Sequence, residues 1–174
     1  MVANETFDLA ESRLLVRARR GESDALRLLW EQHSGLLWSI AEPLLGRHGA
    51  VEALRALQGR LRVHGAGLDP RRPFKPQIAV LFLGLVCDRL QLRPVGGIVP
   101  EAMPTRTATR ASGSSAVKLR AALTDAPVEI RLVYLFTFLG KLSSDEVAGR
   151  TGWPVGDVRR ARAWMAYRLM EVRA

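Results

Sequence analysis

The chain has 174 residues, 48% of them hydrophobic and 25% charged. That balance excludes an intrinsically disordered polymer and allows one ordinary domain or two small ones. The formal net charge of +9 favours anionic partners, nucleic acid among them. Residues 1–92 hold 13 Lys/Arg against 10 Asp/Glu and residues 116–174 hold 10 against 6, so the excess is spread and there is no polybasic tail.

At the N-terminus, Glu5, Asp8 and Glu11 interrupt the apolar core that a signal peptide needs. The periodicity predicts a first helix over 8–20, stopped by Gly21. A second helix is expected from a Ser23 cap to Glu31, with Leu26, Leu29 and Trp30 on its apolar stripe. A third runs from about Gly35 to Leu45, its last turn bent or loosened by Pro43. After Gly46–Gly49, the stretch 51–63 reads as another helix with Leu54, Leu57 and Leu61 at helical spacing. Asp69-Pro70-Arg71-Arg72-Pro73 then forms a stiff turn.

From Pro76 to about Leu92 the pattern is helical again, but Ile78–Cys87 is apolar or glycine on all sides, so no solvent face is visible. This run falls far short of the roughly 20 residues of a bilayer span, and no membrane insertion is expected. Ile78, Leu81, Phe82 and Leu85 are therefore candidates for a protein-interaction surface, the plainer alternative being a repacked core or a docked linker. Residues 93–115 carry Pro94, Pro100, Pro104, Gly96-Gly97 and a Ser/Thr-rich run without periodicity, the composition of a linker. Four helices follow, over 117–123, 127–139, 144–150 and 155–172. No hairpin signal occurs. The expected fold is all-α: a helical domain over 1–92, a linker over 93–115, and a second helical domain over 116–174.

The segment Ser143–Arg168 is the most specific in the chain. Ser143 and Glu146 form a capping box, Ala148 is small enough for a close helix crossing, and Gly152 suits a turn that needs positive φ. Pro154 fits the start of the next helix. Val158, Ala161 and Met165 give that helix a buried stripe. These offsets are those of a helix-turn-helix. On a wheel of about 100° per residue, Arg159, Arg160, Ala163, Trp164 and Tyr167 lie opposite the stripe and Arg162 borders it. Arginines there are placed to reach phosphates or guanine edges in a major groove, whereas Asp157 repels phosphate. Exposed Trp164 and Tyr167 also suit a protein contact.

With these residues in hand, the chain resembles the extracytoplasmic-function group of bacterial sigma factors. The stretch Leu15–Leu26 followed by Leu29-Trp30-Glu31 looks like the start of their region 2. Asp69–Phe74 matches the turn before their promoter-melting helix. Leu142–Ala148 and Pro154–Arg159 match the helix-turn-helix of region 4. The resemblance implies a subunit that binds RNA polymerase core, with region 2 at the −10 element and region 4 at the −35 element of promoter DNA, and an anti-sigma factor as a further partner. In the family, the helix equivalent to 50–63 carries an acidic polymerase-binding signature, of which Glu52, with Leu54 beside it, is what remains here. The helix after Phe74, which in the family presents aromatic and basic residues to the melted strand, retains only Phe82 and Lys75 nearby. The alternative is a sigma-like interaction protein that has lost polymerase and −10 functions.

His33, His48, His64 and Cys87 lack metal-ligand spacing, Ser112-Gly113-Ser114-Ser115 has linker composition, and Gly96-Gly97 follows no strand. No catalysis, cofactor or metal is expected. The single cysteine allows no intramolecular disulfide and fits a reducing cytoplasm.

Overall fold

The computed structural model describes residues 9–64, 67–92 and 115–173. Among these there are seven helices and no strand: α1 (Leu9–Arg19), α2 (Ser23–His64), α3 (Phe74–Leu90), α4 (Ser115–Thr124), α5 (Val128–Phe138), α6 (Ser144–Thr151) and α7 (Val155–Arg173). The all-α expectation holds. The chain divides into two compact units between Val86 and Cys87. The stretch read as a linker lies outside the described residues, apart from Ser115, which opens α4.

In the first unit, the sequence suggested three helices between Ser23 and Val63, but α2 runs on through Gly35. That glycine is exposed, and a Cβ there would meet nothing, so it weakens the helix without breaking it. The real break is Gly46, at φ 68° and ψ 171°, three residues after Pro43. Pro43 has no N–H to give the carbonyl four residues earlier, and Gly46 occupies a region of backbone space that is essentially glycine-only. Leu37, Ile40, Ala41 and Leu44 before the break, and Ala50, Ala53, Leu57 and Leu61 after it, are buried at helical spacing. Leu54, expected on the stripe, is only half-buried, because the smaller Ala50 and Ala53 take the inner positions.

Long-range polar contacts fix how this unit closes. Glu11 on α1 accepts from Phe74 N–H at 3.0 Å, capping α3 from 63 residues away, and its other oxygen lies 2.7 Å from His33 Nε2. Ser12 Oγ donates to Pro70 O at 2.8 Å. The turn before α3 is laced by Gln77: its Oε1 accepts from Asp69 N–H, and its Nε2 lies within 3.1 Å of the carbonyls of Asp69, Arg72 and Pro73. Asp69 Oδ1 accepts from Arg71 N–H, the side-chain-to-backbone turn that aspartate favours.

In the second unit, α5 is the central helix. Ile130, Leu132, Val133, Leu135, Phe136 and Thr137 are buried, and α5 packs against α6 and most extensively against α7, which also receives α4. Arg131 closes the α4–α5 turn by donating from Nη2 to the carbonyls of Thr124 and Ala126, both at 2.9 Å. Its burial lowers its pKa from the usual arginine value.

Candidate nucleic-acid interface

Local chemistry builds α6 and the turn after it. Ser143 Oγ accepts from Glu146 N–H at 3.1 Å while Glu146 Oε2 accepts from Ser143 N–H at 2.8 Å, the reciprocal capping box. Gly152 ends the helix in the left-handed region at φ 77°, and its N–H reaches Ala148 O at 2.8 Å. Thr151 Oγ1 donates to Val147 O and accepts from Trp153 N–H, so this hydroxyl ties the turn back to α6. Pro154 follows, its carbonyl accepting from the N–H groups of Asp157 and Val158 as α7 starts.

Packing against α4, α5 and α6 gives α7 a wide buried sector. Asp157, Val158, Ala161, Trp164, Met165 and Leu169 are all buried, an arc of roughly 140° at about 100° per residue. Arg159, Arg160, Arg162, Ala163 and Tyr167 share the exposed arc with Met170. Five of the six DNA-contact candidates thus lie on one solvent face. Trp164 does not: it is 6% exposed, because α7 is covered from three sides rather than one. It is a packing residue, with the Arg168 guanidinium carbon 5.8 Å from its ring centroid.

Asp157 also departs from expectation. It is the only charged residue buried among those described, and its carboxylate accepts from Nη2 of Arg160, one turn later. Paired and covered, it does not stand out toward solvent as a free repulsive charge. The pairing was legible only as an i,i+3 Asp–Arg spacing. Arg159 lies 3.9 Å from Asp145, with both side chains about 70% exposed, an interaction worth little in water.

In the first unit, the expected interaction helix is mostly core. Ile78 and Phe82 are fully buried and Leu85 is 6% exposed, while Leu81 is half-buried. The apolar face is covered by the chain's own packing, which removes Ile78, Phe82 and Leu85 as a docking surface. Phe74, the other aromatic of α3, is also fully buried. Neither ring is available to stack on an unpaired base. Glu52 is exposed on α2, 3.2 Å from His48. Exposed Arg55, Arg60 and Arg62 follow it, so this stretch is basic rather than acidic. His33 is engaged with Glu11 and stacks obliquely on Phe74; the side chain of His64 lies outside the described residues. No described helix is long and apolar enough to cross a membrane.

No family model matches the chain, and no curated protein matches it. Among solved structures it is similar to CnrH, solved in complex with the cytosolic domain of CnrY. The TM-score is 0.60 at 17% identity, over 92% of this chain and 95% of that one. At that identity the likeness is one of architecture: the chain shares the all-α fold of CnrH.

Proposed function

We propose that the chain is a divergent sigma factor of the extracytoplasmic-function kind, which binds RNA polymerase core in the cytoplasm and directs initiation at particular promoters. In this reading the helices over 1–92 serve as region 2, and those over 116–174 as region 4. The pair α6–α7 acts as a helix-turn-helix at the −35 element, through Arg159, Arg160, Arg162, Ala163 and Tyr167. The observation that carries the reading is the exposed arginine-bearing face of α7, behind a capped and turn-linked α6, in a fold similar to CnrH over nearly its whole length. Arginine side chains on such a face can reach both phosphates and guanine edges. The chain does no catalysis of its own and needs no cofactor. An anti-sigma factor is a natural regulator, since CnrH was solved with the cytosolic domain of CnrY.

A tagged chain purified from its host is expected to bring polymerase core subunits with it. Arg159→Ala combined with Arg160→Ala is expected to weaken promoter binding at least ten-fold. It should also flatten the salt dependence, by a log–log slope of about 0.9 for each phosphate that the variant no longer neutralises. Normal transcription by the double variant overturns the role given to α7.

A second reading has its own support. Both phenylalanines of α3 are buried, and the outward residues after Glu52 are basic. A sigma-like interaction protein without polymerase and −10 functions fits these features. Purification without any polymerase subunit, in the presence of another bound protein, decides for it.

A further inference from the structure

Arg160 and Arg159 are neighbours on the exposed arc of α7, but their surroundings differ. Among the described residues, Arg159 has only a long, solvent-exposed approach to Asp145. Arg160 is held at one nitrogen, Nη2, by a carboxylate whose side chain is 9% exposed, while its own side chain is 66% exposed. A buried carboxylate is costly unless it is paired. Here the α7 N-terminus, whose first turn contains Asp157, and the Arg160 guanidinium supply the compensation. Asp157 is therefore anchored to the protein, and it anchors Arg160 in turn.

Three consequences follow for what Arg160 can reach. The partner lies one turn earlier, so the guanidinium is drawn toward the N-terminal end of α7, the end of a recognition helix that meets base edges. One carboxylate bond leaves most of the five guanidinium N–H donors unused, enough for the two-pronged contact that guanine O6 and N7 offer in the major groove. The pair is also close to neutral as a unit, which weakens its pull on phosphates.

We propose that Asp157 is a specificity-determining residue: by pinning Arg160 against the first turn of α7, it makes that arginine a reader of one guanine rather than a phosphate anchor. Arg159 and Arg162, which face solvent on the same arc, supply the sequence-independent attraction. The inference rests on the DNA-binding reading of α7.

The test uses the full chain, alone and with polymerase core, to enrich 30-bp duplexes from a random pool. Affinities for an enriched duplex and for a scrambled one are then measured across a salt series. For Asp157→Asn, near-identical in shape, the scrambled duplex is expected to bind several-fold tighter at low salt, with the log–log salt slope steeper by about 0.9. The ratio of enriched to scrambled affinity is expected to fall roughly ten-fold. Arg160→Ala alters an exposed residue and keeps the variant series informative if Asp157→Asn unfolds. Repeating the enrichment with it must abolish preference for a single guanine and leave the other positions intact. If Asp157→Asn keeps both slope and ratio, or if Arg160→Ala enriches the same sequence as the parent, the inference is overturned. Failure of the parent chain to enrich any sequence, with or without polymerase core, instead overturns the DNA-binding reading itself.

Discussion

Glu11 shows how much a single carboxylate can organise. Its two oxygens serve partners on two other helices, the first N–H of α3 and the ring nitrogen of His33. The side chains of the Glu11–His33 pair are only about 15% exposed. Hydrogen bonds to a charged group are worth about 1.5–3 kcal/mol each, and a buried donor left alone adds a penalty. Glu11→Ala is expected to lower the unfolding free energy by about 2–3 kcal/mol in a urea titration, with Glu11→Gln having a smaller effect because it still accepts one bond. Nothing in the local sequence announces this role, since the two partners lie 22 and 63 residues away. The same limit explains Trp164 and Asp157. A helical wheel ranks residues by their own polarity, whereas three neighbouring helices decide how much of α7 is covered. Where a residue's role depends on nearest neighbours in sequence, as at Ser143, Glu146 and Gly152, the reading from sequence and the geometry agree.

At the scale of elements, two glycines in α2 make a controlled comparison. Gly35 is helical and open, so Gly35→Ala is expected to stabilise the protein by about 0.5–1 kcal/mol, through lower backbone entropy in the unfolded chain. Gly46 holds a conformation that an alanine reaches only under strain, and Gly46→Ala is expected to destabilise by about 1–3 kcal/mol. Thermal melts of the two variants should move in opposite directions. The sequence marks both glycines as interruptions because periodicity cannot tell an exposed helical glycine from one with positive φ. The burial pattern is better encoded. Apolar spacing together with caps and turn residues placed the helices of the second unit to within two residues at each end, with α4 starting at Ser115 rather than Val117. The run Ile78–Cys87 left an interaction surface and a packed core both open: an all-round apolar helix has no visible solvent face, and the chain covers most of it.

Across the molecule, the fold is shared with CnrH at 17% identity, which is the expectation when cores tolerate substitution as long as volume and patterning persist. The all-α architecture was therefore open to reading from spacing, caps and turn residues. Surface positions are under no such packing constraint, and α3 illustrates the divide: both of its phenylalanines are spent on the core and neither reaches solvent. The turn before α3 also has a kinetic consequence. Between Asp69 and Phe74 every backbone amide hydrogen has an acceptor: Asp69 gives to Gln77 Oε1, Arg71 and Arg72 to Asp69 itself, and Phe74 to Glu11. Pro70 and Pro73 have no amide hydrogen to exchange. A connection without regular structure should therefore behave in deuterium exchange like the helices around it. The amides of Asp69 and Phe74 should be released only when Gln77 or Glu11 lets go, and Glu11→Ala should speed exchange at Phe74 well before the unit melts.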